Sequence, residues 1–228
     1  MAFQPIVDVK KHSIFAYEAL VRGINNESAG EIFKHVNDTN RYRFDQCCRT
    51  KAIKLGAELA VPCFLNINFM PNAVYRPELC IRTTLTAAET YGFPIDRIVF
   101  EITESEKVQD IEHLKGIVAY YRQKGFKIAI DDFGAGYAGL NFLTEIRGDF
   151  LKLDMALIRH IDTDKVRQAI VRGIVQVGQE LSMVIIAEGV ETIEEFKVLE
   201  SFGIELFQGY YFAKPSFEKL VSIDDLSF

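Results

Sequence analysis

Short runs rich in Ile, Val, Leu and Phe alternate with helix-length segments along nearly the whole chain, and that rhythm leaves few folds open. Strands are expected at residues 3–9, 14–22, 64–69, 98–103, 126–132, 150–154, 183–188 and 206–208. Helical patterns fill the intervals at 30–36, 41–59, 78–91, 111–124, 139–145, 165–181 and 193–202, with Gly92 and Gly125 as stops and a capping box at Thr192 and Glu195. Only residues 10–13 join the first two strands, too few for a parallel crossover, so the first is expected antiparallel to the second. The later connections carry helices of crossover length. The pattern predicts an α/β protein, a (β/α)8 TIM-like barrel with its first strand antiparallel to the second, a little below the ~250 residues usual for one. No linker or low-complexity segment divides it, so residues 1–228 are read as a single domain.

Charge and composition narrow the partners. A net charge of -6 argues against a basic surface for duplex nucleic acid. No apolar run approaches the ~20 residues of a membrane helix, and the N-terminus lacks a basic-then-apolar leader. Cys47, Cys48, Cys63 and Cys80 form no C-x-x-C pair and are read as small buried apolar groups in a reducing, cytoplasmic setting. His12, His35, His113 and His160 show no ligand spacing and are read as surface residues.

In such a barrel the chemistry gathers at the C-terminal ends of the strands. Glu18 lies in the second strand, Asn68 closes the third, Glu101 lies in the fourth and Asp131 and Asp132 end the fifth. Lys152 lies in the sixth, Glu188 ends the seventh and Gln208 the eighth. One polar residue in an apolar strand is ordinarily a satisfied core group. Seven strands repeating the pattern point to a shared mouth. Carboxylates with an amide oxygen make a hard, oxygen-only shell suited to Mg²⁺ or Mn²⁺ and poorly suited to zinc. The number of acids suits two cations sharing a carboxylate, the arrangement used in phosphoester hydrolysis. Lys152 would hold or polarise the water, and Arg22 would pair with a phosphate oxygen.

Residues 128–140, IAIDDFGAGYAGL, admit more than one reading by themselves. Asp132, Phe133 and Gly134 spell a kinase triplet, but the strand lysine and H-R-D loop that a kinase needs are absent from the sequence. Gly134, Gly136 and Gly139 fit G-x-G-x-x-G, with Asp154 near the place of a ribose-binding acid. A pyrophosphate there would face Asp131 and Asp132 without a cation between, which is unfavourable. Metal site, dinucleotide site and a simple glycine turn all stay open on this stretch alone.

The segments FQPIVD, YEALVRG, NINFMP, FEITES, IAIDDFGAGYAGL, FLKLD, AEGVE and QGYYFAKP follow one another from Phe3 to Pro215. In this order and spacing they resemble the EAL-domain phosphodiesterases, which open cyclic di-GMP to the linear dinucleotide pGpG. The resemblance implies that Glu18, Asn68, Glu101 and Asp131 hold one cation, and that Asp131 bridges to a second completed by Asp132 and Glu188. It implies Mg²⁺ or Mn²⁺ as the working ions, two per site, with Ca²⁺ binding but supporting turnover poorly. By the same resemblance Lys152 contacts the attacking water, Glu188 serves as a base, and Gln4, Arg22 and Gln208 contact substrate. Glu104 would anchor a loop that couples the site to a dimer interface, and Asp154 and Glu191 would take supporting roles. A homodimer and a regulatory or sensor domain are the implied partners. The chain departs from the family pattern at Ala135 and at Ala138-Gly139, where hydroxyl residues are usual, and lost hydroxyls loosen a glycine-rich loop. Low or partner-dependent basal activity is therefore expected. A non-catalytic module binding the cyclic dinucleotide or a protein is the second reading, and a nucleotide-cofactor oxidoreductase the third.

Overall fold

A computed structural model describes residues 1–103, 110–136 and 139–226. In chain order the elements are β1 (Ala2–Asp8), β2 (Ser13–Leu20), α1 (Ala29–Phe33), α2 (Arg41–Glu58), β3 (Phe64–Asn68), α3 (Pro77–Cys80), α4 (Arg82–Tyr91), β4 (Ile98–Thr103) and α5 (Ile111–Gln123). They continue with β5 (Lys127–Phe133), α6 (Gly139–Glu145), β6 (Phe150–Leu153), α7 (Met155–Ile158), α8 (Lys165–Glu180), β7 (Val184–Ala187), α9 (Ile193–Ser201), β8 (Leu206–Phe207) and β9 (Ser216–Phe217).

Strands β2 to β8 lie side by side in parallel, and β1 closes the ring by pairing antiparallel with both β2 and β8. The expected mixed barrel is therefore present. The tight β1–β2 turn is held by Asp8, whose Oδ1 accepts from the Lys11 backbone at 2.9 Å.

Side chains alternate across a strand, and that alternation places the mouth. Ile6, Ala16, Val99, Ala129, Phe150, Ile186 and Leu206 form an apolar plug inside the barrel. Two residues further toward the open end stand Gln4, Glu18, Glu101, Asp131, Lys152, Glu188 and Gln208, on the same inward face. A larger apolar layer, including Leu65, Ile67, Phe100, Ile128, Ile130, Leu151 and Phe207, packs the outer face of the sheet against the helices.

Several boundaries differ from expectation. The helix expected over 78–91 is two, because α3 packs toward α5 while α4 packs along α2, and Ile81 marks the change of direction. The second, seventh and eighth strands stop early, so Arg22, Glu188 and Gln208 sit in the loops just beyond. The short α7 and the C-terminal strand β9, which pairs with the Ala2–Phe3 end of β1, were not expected. Of the four cysteines only Cys80 is buried; Cys47 is exposed on the outer face of α2, and Cys48 and Cys63 are half-buried. His113 is half-buried rather than a free surface residue, since its ring lies on the carbonyl of Val74.

Candidate active site

The mouth is organised around one buried ammonium. Lys152 Nζ lies 2.5 Å from Glu101 Oε1, 2.7 Å from Glu188 Oε1, 2.9 Å from Asp131 Oδ1 and 3.6 Å from Glu18 Oε2. The amide of Asn68 donates to Glu18 Oε1 at 2.9 Å and to Glu101 Oε2 at 3.1 Å, which ties β2, β3 and β4 together. Gln208 Nε2 donates to Glu18 Oε2 at 2.7 Å and to Gln4 Oε1 at 3.2 Å, closing the other side of the ring.

Asp131 and Asp132 are neighbours and would ordinarily point to opposite faces of the sheet. The β5–β6 register shifts between Ile130 and Phe133, and Asp132 takes a left-handed backbone with φ of 53°. This irregularity turns Asp132 back toward the mouth, and one oxygen each of Asp131, Asp132 and Glu188 lies within 4.8 Å of the others. The first glycine that follows answers to packing. At Gly134, with φ of 100°, a Cβ would stand 2.3 Å from Leu157 Cδ1.

The electrostatics follow from crowding acids in a dry place. Burial disfavours the charged form of Lys152, but Asp131, Glu101, Glu18 and Glu188 outweigh it and hold its proton well above the usual lysine range. Burial, and then the charge of Glu18, push Glu101 well above the carboxylate range against the pull of Lys152. Burial, only partly offset by Lys152, does the same to Glu188, with Asp131 adding repulsion. Glu18 goes the other way: burial opposes ionisation, yet Lys152 and the amides of Gln208 and Asn68 hold its pKa low. Asp132 is pushed up to about 6 by burial and by the charges of Asp131 and Asp154.

The donor set fits divalent cations. It consists of oxygens, it concentrates more acid than one lysine neutralises, and Asp131 Oδ1 is buried with no hydrogen bond although the ammonium is 2.9 Å away. Two cavities lie beside this cluster, the first touching it through Asn68 alone and the second through several of its residues. One of about 390 Å³ is lined by Leu20, Phe33, Phe44, Ile67, Asn68 and Met70, on the β2–β4 side. The other, of about 270 Å³, is lined by Gln4, Glu18, Asp132, Glu188, Gln208 and Tyr210, on the β8–β1 side.

Of the residues singled out in the sequence, Gln4, Glu18, Asn68, Glu101, Asp131, Asp132, Lys152, Glu188 and Gln208 converge. Arg22 does not join them; its guanidinium donates to the carbonyl of Val21 at 2.7 Å. Asp154 caps α7 through Ala156 N, and Glu191 pairs with Arg159 at 2.7 Å, both at the edge of the cluster. Glu104 and Ala138 lie outside the described residues. Sequence reasoning missed Asn66, which is buried and donates to Glu101 Oε1 at 2.8 Å. The signal was present, since Asn66 stands two residues before Asn68 on the same inward face.

Fold and site define a TIM-like barrel with an acidic mouth whose oxygen donors fit divalent cations. The EAL domain model matches residues 1–215, and the chain belongs to the EAL domain family. Among curated relatives, the blue light- and temperature-regulated antirepressor BluF of Escherichia coli is 30% identical over 97% of this chain and 55% of its own. The probable cyclic di-GMP phosphodiesterase PdeN of the same organism is 29% identical, over 94% of this chain and 43% of its own. The chain thus spans about half the length of these relatives. Among solved structures, a standalone versatile EAL protein from Vibrio cholerae O395 with c-di-GMP bound superposes with a TM-score of 0.94 at 55% identity, covering 97% of this chain and 94% of that one. Klebsiella pneumoniae BlrP1 in a manganese and cyclic di-GMP complex superposes with a TM-score of 0.90 at 35% identity, over 95% and 56%.

Proposed function

We propose that this chain is a metal-dependent phosphodiesterase that hydrolyses one phosphodiester bond of cyclic di-GMP to give linear pGpG. The observation that carries the reading is the convergence of Glu18, Asn68, Glu101, Asp131, Asp132 and Glu188 around Lys152 at one barrel mouth. The c-di-GMP bound to the Vibrio cholerae protein supports the substrate.

Glu18, Asn68, Glu101 and Asp131 would hold one Mg²⁺ or Mn²⁺, and Asp131, Asp132 and Glu188 a second. Bound there, the cations would supply charge neutralisation at the phosphate and activation of water. Lys152 stays protonated and offers its N–H groups to the incoming water oxygen. Glu188, which would be ionised once it faces the cations and lies 2.7 Å from Lys152 Nζ, is placed to take the proton that the water gives up. The water oxygen bonds to phosphorus as its proton passes to Glu188, the bond from phosphorus to the 3′ oxygen breaks, and that oxygen takes a proton from solvent to leave as the 3′ hydroxyl. Gln4 and Gln208 form the wall against which the substrate lies, and Arg22 would turn from Val21 to a phosphate oxygen. Residues 1–228 would act as one catalytic domain, in a homodimer and in the cytoplasm, under a regulatory or sensor partner; no described helix is long and apolar enough to cross a membrane.

A second reading, a module that binds cyclic di-GMP without cleaving it, is favoured by the likeness to an antirepressor and by Ala135 in the turn after β5. Calorimetry with cyclic di-GMP in Ca²⁺ and then in Mn²⁺ separates the two. The enzyme binds in both and turns over well only in Mn²⁺, because the looser Ca²⁺ shell does not hold the two-cation geometry. Saturable binding with no turnover in either ion would establish the module instead.

A further inference from the structure

Behind the mouth, α2 carries two charged residues into the layer between helices and sheet: Asp45 is 2% exposed and Arg49 0%. One turn apart, they pair at 2.6 Å. A buried pair is a weak source of stability, because desolvation offsets attraction and an apolar pair of similar volume often serves as well. What the pair grips is more informative. Asp45 Oδ1 accepts from the backbone N–H of Met70 at 3.1 Å, two residues beyond Asn68. Arg49 donates to Thr84 on α4 at 3.3 Å, and its guanidinium carbon lies 5.7 Å from the ring centre of Phe100, the residue before Glu101. Between these points the Phe69 N–H bonds the Glu101 carbonyl at 3.2 Å. One ion pair thus holds, from outside the barrel, the ends of the two strands whose inward side chains are Asn68 and Glu101.

From this geometry we infer that Asp45 and Arg49 are positioning residues that fix Asn68, and with it Glu101, in the array that takes the first cation. The inference rests on the metal site proposed above. Asn68 donates to two carboxylates at once, from Glu18 and Glu101, so a small shift of the segment after it misplaces three ligands together. Groups that orient ligands from behind matter to the metal nearly as much as the ligands themselves. Asp45 also lines the larger cavity beside Asn68, so displacing it reshapes that rim.

The test compares Mn²⁺ affinity by titration calorimetry, and melting without metal, in the parent and two double variants. Asp45→Leu with Arg49→Leu fills the volume but lets go of Met70; Asp45→Asn with Arg49→Gln keeps the acceptor and donors without charge. The first should melt near the parent yet bind Mn²⁺ about tenfold to a hundredfold more weakly, while the second stays close to parent affinity. Parent-like Mn²⁺ affinity in the folded Leu/Leu variant overturns the inference, because a merely structural pair would give that result. Should the Leu/Leu variant not fold, Asp45→Glu, which keeps the charge but displaces the contact to Met70, must lose affinity for the inference to stand. A parent that itself binds no Mn²⁺ overturns the metal site first, and this inference with it.

Discussion

At the scale of the residue, Lys152 is the counter-charge that lets four carboxylates share one dry mouth. Lys152→Met leaves them facing one another, and removing one partner of a buried ionic array costs about 3–5 kcal/mol. Urea denaturation of the metal-free variant should show that loss, and an unchanged midpoint would contradict the role. Asp132 sets a pH dependence. Its pKa is raised from 3.8 to about 6, so below that pH it holds a proton which an incoming cation must displace. Mn²⁺ affinity should therefore rise as pH increases through about 6, with proton release on binding to which the raised Glu101 and Glu188 also contribute; a flat profile from pH 5 to 7, or a rise undiminished in Asp132→Asn, would count against Asp132 as a ligand. Most of these residues were legible because each interrupts an apolar strand. Asn66 escaped because only the residue that closes β3, Asn68, marks the mouth in the sequence, whereas β3 carries a second polar residue on its inward face. Arg22 was legible as a residue type but not as a position, since its reach depends on a loop conformation that strand periodicity does not specify.

At the scale of the element, the mouth is shaped where regular structure breaks. The irregularity in β5 gives two adjacent aspartates a common direction, and alternation alone would have placed Asp132 on the outer face. The loop after β8 is pinned to the loop after β7 by Val190 N to the Gln208 carbonyl at 3.2 Å and Tyr211 N to the Val190 carbonyl at 3.0 Å. Gly209 permits this approach, because a Cβ there would lie 2.0 Å from the oxygen and 2.4 Å from the nitrogen of Val190. Gly209→Ala should cost about 1–3 kcal/mol by overpacking. Melting several degrees lower would show it, and an unaltered transition would mean that the loops separate freely. The helical patterns were legible from periodicity and glycine stops. The split between α3 and α4 was not, because two neighbouring helices pull one continuous pattern in two directions.

At the scale of the whole molecule, closure of the ring brings residues from Gln4 to Gln208 to one point. The barrel could be inferred from the strand and helix rhythm, and the antiparallel first strand from its short turn. What the sequence could not provide was β9, whose pairing with β1 depends on where the C-terminal segment returns. The central claim, hydrolysis of cyclic di-GMP at this mouth, belongs to this scale because it needs residues from six strands at once. Its most direct test is chromatography of cyclic di-GMP incubated with the chain, with and without Mg²⁺ or Mn²⁺, beside Glu18→Ala. Linear pGpG should form only with the unmutated chain and the metal. Intact cyclic di-GMP in every sample, or pGpG produced equally by Glu18→Ala, would contradict the account.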